Sequence, residues 1–305
     1  MSIKVSAPGK LLLLGDHAVV YGYPCLVTAV DKRLYVEAEI IDAKEDEIIT
    51  PQVKESRFVL ESIAYFKEKF TIDKSVRIKT KGDFSHQVGL GSSSAVTVAT
   101  FKALAVLFGK TLTQKELFEI SYKVNIAIQG VGSGFDIAAA TYGGTLEYVF
   151  KGEVIAPLRI DSLPLVVGYS GVKADTPFYI RKVAEAFKMR KEEMNTIFHQ
   201  VRELVASAKI GLTSKRYDIV GDAMNKNHTL LQQLGVSIPK LDAMVQSAQR
   251  AGSWGAKLSG AGGGDCMIAL VSPEKRVAVE KAILFAGGEI IEVANNAQGV
   301  RVENN

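Results

Sequence analysis

The sequence has 305 residues, a length at which chains usually divide into two lobes, and 47% of them are hydrophobic, as in an ordinary folded protein. Its net charge of +4 is small beside 37 basic and 33 acidic side chains, so charge gives no sign of a nucleic-acid partner. No apolar run approaches the roughly 20 residues of a membrane span, and the N-terminus lacks the apolar core of a signal peptide. We therefore expect a cytoplasmic protein. Cys25 and Cys266 lie far apart in apolar runs, which predicts buried thiols rather than a zinc site.

The first half of the chain predicts strands interrupted by helices. Short apolar or alternating segments predict strands at 3–8, 10–16, 24–30 and 33–40. Apolar residues at helical spacing predict a helix over 56–70, and a strand follows at 76–80. A further helix follows the serine-rich segment near residue 92, and another begins after Thr113, where Glu116 completes a capping-box pattern, and ends near Gly130. A strand at 143–150 leads into a stretch around 153–163 that we interpret as irregular because it contains Pro157.

The second half is richer in helices. A strand at 163–170 is followed by four helical segments, near 177–188, 191–210, 214–234 and 239–251. Strands at 256–259 and 266–271 flank a glycine-rich turn, and a helix at 273–287 and a strand at 289–295 follow. The irregular stretch predicts a boundary between domains 1–157 and 158–305. The whole is an α+β layout with a strand-rich N-terminal lobe and a helix-rich C-terminal lobe.

The segment "GLGSSSA" lies between a predicted strand and a predicted helix. It comprises Gly89, Leu90, Gly91, Ser92, Ser93, Ser94 and Ala95. A helix N-terminus offers unpaired N–H groups, and glycines let the backbone approach an anion closely, so the pattern is typical of a phosphate-binding loop. Small residues also occur where a helix simply packs tightly, so both interpretations stay open here. The familiar alternatives are absent: Leu104 stands where a P-loop needs glycine, and no G-x-G-x-x-G sequence occurs.

Three further residues have the chemistry of a reactive site. Asp136 follows a Gly-Ser-Gly turn, where a carboxylate could take a proton from an alcohol or could cap a helix. Lys10 stands between Pro8-Gly9 and an unbroken apolar run, a poor place for a solvated lysine, and it could pair with a carboxylate or with a transferring phosphate. For His17, next to a glycine break, a structural hydrogen bond is the simpler interpretation.

Taken together, these segments resemble the GHMP kinases. Three ordered segments carry the resemblance, "APGKLLLLGDHAVVYG", "GLGSSSA" and "KLSGAGGGDCMIAL", and they span nearly the whole chain. Within that superfamily, "GDHAVVYGYP", "MNKNHTLLQQLGVS" and "GYSGVKADT" look like the mevalonate kinase branch. The resemblance implies the two-lobed GHMP kinase fold with ATP in the cleft between the lobes. It also implies phosphorylation of the primary alcohol of mevalonate, in the route to isoprenoid precursors.

The resemblance also implies roles for residues. The seven residues of "GLGSSSA" would surround the ATP phosphates, and Ser93, with Ser92 nearby, would help to hold Mg²⁺. Asp136 would take the proton of the acceptor hydroxyl, and Lys10 would lower the pKa of that hydroxyl or support the carboxylate. The residues expected to contact the hydroxy acid are Asp16, His17, Thr176, Gly260, Ala261 and Gly262.

The chain departs from the family pattern at two positions. Asp16 stands where mevalonate kinases usually have glutamate, and Asn125 stands eleven residues before Asp136, at the usual place of a Mg²⁺-binding glutamate. A neutral amide there would weaken the metal site, or would leave the metal to Ser93 and the ATP phosphates.

Two alternatives to mevalonate phosphorylation stay open. The segments around Asp136 and Asp265 also resemble phosphomevalonate kinase, whose phosphorylated acceptor would require further cations, for which Lys173, Arg181 and Lys182 are candidates. A ligand sensor of the same fold, which binds ATP without transferring phosphate, is the other alternative. A homodimer is compatible with the sequence.

Overall fold

The computed structural model describes residues 2–52, 56–85 and 88–303, which form two bodies, each a sheet covered by helices. The first sheet has the order β11-β1-β2-β4-β3, with β5 pairing with another part of β2 and β6 pairing with β5. Its strands are β1 (Ser2–Leu14), β2 (Cys25–Ile41), β3 (Glu47–Ile49), β4 (Ser75–Gly82), β5 (Thr145–Val149), β6 (Val154–Leu158) and β11 (Arg301–Val302). The predicted α+β class is confirmed.

The two long strands of this sheet correct the prediction of four short ones. β1 and β2 pair antiparallel along almost their whole length, and the register shifts between Pro8 and Gly9 instead of the strand ending there. Proline and glycine are read as breaks because they disfavour a regular ladder, but a β-bulge lets the strand continue through them.

The helices of the first body cover one face of that sheet. They are α1 (Arg57–Phe70), α2 (Ser92–Leu107), α3 (Gln114–Gln129) and α4 (Phe135–Tyr142). α2 is buried over most of its length, as expected of a helix with apolar or small residues on all sides. The capping box of α3 is confirmed, because the Thr113 hydroxyl accepts from Glu116 N at 3.2 Å and the Glu116 carboxylate accepts from Thr113 N at 2.8 Å.

The second body is a four-stranded antiparallel sheet with the order β10-β7-β9-β8. Its strands are β7 (Leu165–Tyr169), β8 (Gly255–Ser259), β9 (Cys266–Leu270) and β10 (Glu289–Ile290). Five helices pack with it: α5 (Thr176–Ala186), α6 (Lys191–Thr213), α7 (Tyr217–Gln233), α8 (Pro239–Arg250) and α9 (Arg276–Phe285). The four predicted helices after β7 are confirmed, whereas the strand predicted at 289–295 is only two residues long.

The irregular stretch predicted around 153–163 is partly wrong. β6 pairs with β5 from Val149↔Val154 to Thr145↔Leu158, and Pro157 fits there because β6 has a partner on one side only among the strands of the described residues. The chain also returns to the first sheet near its C-terminus, where Asn295 bridges to Val30 and β11 pairs with β1. The division into 1–157 and 158–305 stays a prediction.

Two sequence expectations about the whole chain can be compared with the structure. Cys25 and Cys266 are both buried free thiols, as predicted. Among the described residues, none of the helices combines the length and apolar character needed to cross a bilayer.

Candidate active site

A cavity of about 480 Å³ lies between the two bodies. The first body contributes the end of β1, the segment after it and the N-termini of α2 and α4, together with part of α3. The second body contributes residues 173–177, the glycine-rich turn after β8 and Asp265. Eleven predicted site residues line this cavity: Lys10, His17, Gly89, Gly91, Ser92, Ser93, Asn125, Asp136, Thr176, Gly260 and Ala261.

The glycine-serine loop forms one wall of the cavity at the start of α2. Gly91 is the N-cap residue with φ of 80°, a left-handed conformation that glycine adopts without strain. Ser92 and Ser93 follow it in the first turn, so their backbone N–H groups and hydroxyls lie at the positive end of the helix dipole. The other three predicted loop residues, Leu90, Ser94 and Ala95, are buried and do not line the cavity.

Lys10 extends from β1 into the cavity beside that loop. Its ammonium donates to the Gly89 carbonyl oxygen at 2.9 Å and lies 5.6 Å from the centre of the Phe135 ring. A Cβ atom built on Gly91 would be 3.2 Å from Lys10 Cγ and 3.7 Å from Asp136 Cβ. The lysine and the aspartate are therefore adjacent to the same glycine, at the helix N-terminus where an anion would bind.

Asp136 is in the first turn of α4, and Gly134, not Asp136, is the N-cap residue. The capping role left open by the sequence is therefore wrong. Asp136 lines the cavity, and its Oδ1 accepts from Ile137 N at 3.1 Å. The turn before it is supported from beneath by the buried Tyr148, whose hydroxyl donates to the Ser133 carbonyl oxygen at 2.6 Å.

His17 lines the cavity, whereas Asp16 lies behind its wall. His17 Nε2 is 2.8 Å from the Ala261 carbonyl oxygen, which can only accept, so Nε2 carries the proton. Burial lowers the pKa of His17 below its ordinary 6.5, against the raising effects of that hydrogen bond and of Asp16. The ring is therefore neutral at pH 7, and its buried Nδ1 is an acceptor without a partner among the residues described. Asp16 is fully buried and forms an ion pair with Lys257 at 2.7 Å.

Asn125 directs its amide oxygen away from its protein neighbours. Its Nδ2 donates to Thr97 Oγ1 at 2.9 Å and to the Ser121 carbonyl oxygen at 3.2 Å. The Thr97 hydroxyl donates its own hydrogen to the Ser93 carbonyl oxygen at 2.9 Å, so toward Asn125 it can only accept. Because both partners are acceptors, the amide nitrogen must face them, and the oxygen is left for the cavity that Asn125 lines.

The second body supplies the opposite wall. Thr176 begins α5, and Gly260 and Ala261 follow β8, so three of the predicted substrate contacts face the cavity. Gly262 does not line it, because this glycine packs against Val236, whose carbonyl oxygen would lie 2.2 Å from a Cβ at that position.

Several polar residues that line the cavity were not predicted individually as site residues, among them Asp265 and Gln129. Asp265 accepts from Ala174 N at 3.1 Å and packs over Gly89, where an added Cβ would be 2.4 Å from Asp265 Cγ. Gln129 Nε2 donates to Ser93 Oγ at 3.4 Å. The position of Gln129, four residues after Asn125 on α3, was a usable signal, because residues four apart share one helix face. No local signal joins Asp265 to Gly89, which is far away in sequence.

Comparisons with known proteins agree with this architecture. Residues 57–144 match the GHMP kinases N terminal domain, and residues 204–288 match the GHMP kinases C terminal region. The mevalonate kinase of Thermococcus sibiricus is 36% identical, over 100% of this chain and 99% of the relative. A solved structure of L. major mevalonate kinase in complex with R-mevalonate has 25% identity and a TM-score of 0.84, over 97% of this chain and 96% of that one.

A second solved structure extends the likeness of fold. Streptococcus pneumoniae phosphomevalonate kinase in complex with phosphomevalonate and AMPPNP has a TM-score of 0.83 over 97% of this chain and 99% of that one, at 20% identity. At that identity the likeness concerns the fold alone. The two-lobed fold predicted from the three sequence segments is confirmed by the family match and by these neighbours.

Proposed function

The chain belongs to the GHMP kinase family, and we propose that it is a mevalonate kinase, which transfers the γ-phosphoryl group of ATP to the primary alcohol of mevalonate. The observation that carries the proposal is the arrangement around Gly91. Lys10 and Asp136 lie beside this one glycine, at the N-terminus of α2, in a cavity between the two bodies. The relatives named mevalonate kinase that match the full length of the chain support the same activity.

In the proposed reaction, Asp136 accepts the proton of the acceptor hydroxyl. The hydroxyl oxygen forms a bond to the γ-phosphorus, the bond from that phosphorus to the β–γ bridging oxygen breaks, and ADP leaves with its electron pair. Negative charge spreads over the transferring group, so positioned cations and N–H dipoles supply most of the stabilisation. In this chain those groups are the Lys10 ammonium and the backbone N–H groups of Ser92 and Ser93.

We propose that Mg²⁺ enters this site already bound to ATP. Over the described parts of the chain, no group of three or more His, Cys, Asp or Glu side chains is arranged to hold a metal ion by itself. The Ser93 hydroxyl and the Asn125 amide oxygen are neutral oxygen donors, and they fit a magnesium ion whose charge is balanced by phosphates. When bound, the ion would neutralise charge on the phosphate oxygens.

The cationic groups of the cavity favour mevalonate over phosphomevalonate as acceptor. A second phosphate on the acceptor would need further Lys or Arg contacts. Of the three candidates, only Lys173 lines the cavity, because Arg181 and Lys182 are exposed on α5 and Lys182 donates to the Gly235 carbonyl oxygen at 2.8 Å. No arginine lines the cavity in the part of the chain that the structure describes.

A coupled assay of ADP release tests the proposal. The wild-type chain with MgATP should turn over mevalonate efficiently and phosphomevalonate poorly, and the reverse result would refute the choice of acceptor. No turnover of either acceptor, despite thermal stabilisation by ATP, would favour the sensor alternative. We expect a cytoplasmic protein. A homodimer is compatible with the sequence, and light scattering would measure the oligomeric state.

Substitution of Asp136 tests the mechanism. Asp136→Asn removes the proton acceptor and should lower kcat by about 10²–10⁴-fold, while ATP affinity stays near the wild-type value. Asp175→Asn is a matched control, because Asp175 also lines the cavity but serves as the N-cap of α5, a task that asparagine performs equally well. Near-normal turnover by Asp136→Asn would contradict the assigned role.

A further inference from the structure

Lys257 is a fully buried cation that the proposed reaction does not use. It lies on β8, with Ala256 and Leu258 as buried neighbours, and its ammonium is 2.7 Å from Asp16 Oδ2. The ammonium also donates to the Leu258 carbonyl oxygen. Both charged side chains are 0% exposed. A buried ion pair is often no more stabilising than well-packed apolar residues. Stability alone therefore does not explain why these two buried positions are charged, and the position of the pair offers another explanation.

The pair lies directly behind the wall of the cavity and joins the two bodies. The second oxygen of Asp16, Oδ1, accepts from Gly260 N at 2.7 Å, and the next residue, His17, donates to the Ala261 carbonyl oxygen at 2.8 Å. Two consecutive residues after β1 thus bind two consecutive residues after β8. His17, Gly260 and Ala261 line the cavity, whereas Asp16 and Lys257 do not.

Polar side chains of α7 hold the same two segments from the other side. Asn227 Oδ1 accepts from Gly15 N at 3.3 Å, and His228 Nδ1 accepts from Leu258 N at 3.4 Å. His228 Nε2 lies 3.0 Å from an oxygen of Asp242. The segments that carry Asp16 and Lys257 are therefore hydrogen-bonded both to each other and to α7. Their positions are fixed in this way, so the ion pair can fix the position of the cavity wall next to it.

The backbone at His17 shows that this geometry is imposed. His17 has φ of 59° and ψ of −48°, a conformation that a non-glycine residue adopts only when its surroundings hold it. Part of this support is local, because Ala18 N donates to the Asp16 carbonyl oxygen at 2.7 Å and Val19 N donates to the Gly15 carbonyl oxygen at 3.1 Å. The bonds from His17 Nε2 to the Ala261 carbonyl oxygen and from Gly260 N to Asp16 Oδ1 then fix this turn against the second body. If the Asp16 carboxylate lost its cation, its contact with Gly260 N would weaken, and the turn at His17 would be held less firmly against the second body.

We propose that Lys257 is a positioning residue, which acts through Asp16 to fix Gly260, Ala261 and His17 as the acceptor side of the cavity. The proposal rests on the proposed function, because the wall serves the hydroxy acid and not the ATP phosphates at α2. Loss of the pair should therefore weaken acceptor binding selectively.

Three variants separate this role from plain stabilisation. Lys257→Met and Asp16→Asn each leave one buried charge without its partner, and each should lower Tm by roughly 10 °C. The double variant removes both charges and should recover most of that Tm. Its KM for mevalonate should nevertheless stay at least about tenfold raised, while KM for ATP changes by less than about threefold. The reason is that asparagine offers Gly260 only a neutral acceptor, and its own NH₂ group meets an apolar side chain instead of a partner.

Lys209→Met is the matched control, because Lys209 also pairs across the two bodies, with Glu147 at 2.6 Å, but lies away from the cavity. It should leave both KM values unchanged. Hydrogen exchange provides a readout that does not depend on the reaction. The amides of residues 259–262 should exchange at least about tenfold faster in the double variant than in the wild type, even where the Tm values agree.

The outcomes are distinct. If the double variant recovers both Tm and the mevalonate KM with unchanged exchange, the pair is only structural and the proposal is overturned. An ATP KM that rises as much as the mevalonate KM overturns it as well, because the distortion is then general. If wild type does not phosphorylate mevalonate, the proposed function fails, and the exchange of residues 259–262 still decides whether Lys257 positions the wall.

Discussion

Replacing Gly91 with alanine should reduce catalysis far more than it reduces stability. The residue has φ of 80°, where an alanine costs about 1–2 kcal/mol. Its new Cβ would be 3.2 Å from Lys10 Cγ and 3.3 Å from Lys10 Cε, closer than the roughly 3.5–4.0 Å of an ordinary carbon contact. Lys10 must therefore move by a few tenths of an ångström or rotate away from its 2.9 Å hydrogen bond to Gly89.

The size of the expected loss of kcat follows from how far the Lys10 ammonium is displaced. A misplacement of about 1 Å at a reacting group can cost about 10²-fold, so we expect kcat to fall by roughly 10–100-fold in Gly91→Ala. Gly109→Ala is the matched control, because Gly109 has φ of 61° and an added Cβ there would meet nothing within 4 Å. The control should lose about the same 1–2 kcal/mol of unfolding free energy and keep its kcat.

Urea unfolding gives the free energy of unfolding of each of the two variants, and the coupled assay of ADP release gives the kcat of each. If Gly91→Ala keeps a kcat within about twofold of Gly109→Ala, Lys10 either tolerates the displacement or does not act on the transferring group. Equal loss of kcat in both variants would show instead that backbone strain alone reduces activity. Either result would refute the reasoning that the added Cβ of Gly91→Ala reduces kcat by displacing Lys10.

Three further predictions concern the hydrogen bond of Tyr148, the protonation of two buried histidines and the Mg²⁺ dependence of activity. Tyr148→Phe removes the 2.6 Å hydrogen bond to the buried turn at Ser133 and should lower the unfolding free energy by about 1–3 kcal/mol in urea melts. Burial lowers the pKa of both His17 and His228 below 6.5, so the unfolded chain binds more protons and stability should fall as the pH drops from about 7 to about 5.5, by at most about 1.4 kcal/mol per pH unit for each histidine. His228→Asn should roughly halve that slope in pH-dependent melts. Asn125→Leu should raise the Mg²⁺ concentration for half-maximal activity several-fold, and an unchanged magnesium titration would remove Asn125 from the metal site.

Local signals predicted those elements whose cause is local. The capping box of Thr113 and Glu116 fixes the start of α3 within four residues, and it was predicted correctly. Pro157 misled the prediction of β6, because a proline is tolerated where the strand has a partner on one side only, and that partner is not a property of the segment itself. The two residues of β11 have no pattern of their own, since β1 alone makes them a strand.

The residues of the candidate site likewise include some that a local sequence pattern predicts and others that depend on contacts between distant parts of the chain. Gly91, Ser93 and Asp136 line the cavity, as expected from their sequence segments, each of which contains the N-terminus of a helix. Asp16 was expected to face the acceptor, but its carboxylate is taken by Lys257, a residue 241 positions away (257 − 16) on another sheet. The sequence shows Lys257 among the apolar residues of β8, but its partner Asp16 could be found only from the folded chain.

The return of residues 295–302 to the first sheet has a consequence for biosynthesis. Arg33 donates to the carbonyl oxygens of Gln298 and Gly299, both at 2.7 Å, and β11 pairs with the edge of β1 at Val5 and Ser6. Ribosomes add roughly 5–20 residues per second, so β1 and β2 emerge on the order of 10 s or more before the strand that closes their edge. During that interval the nascent sheet has an open ladder of N–H and C=O groups, the kind of surface that chaperones shield and that neighbouring chains can join. Translation of the second body thus sets the length of time for which the first is vulnerable.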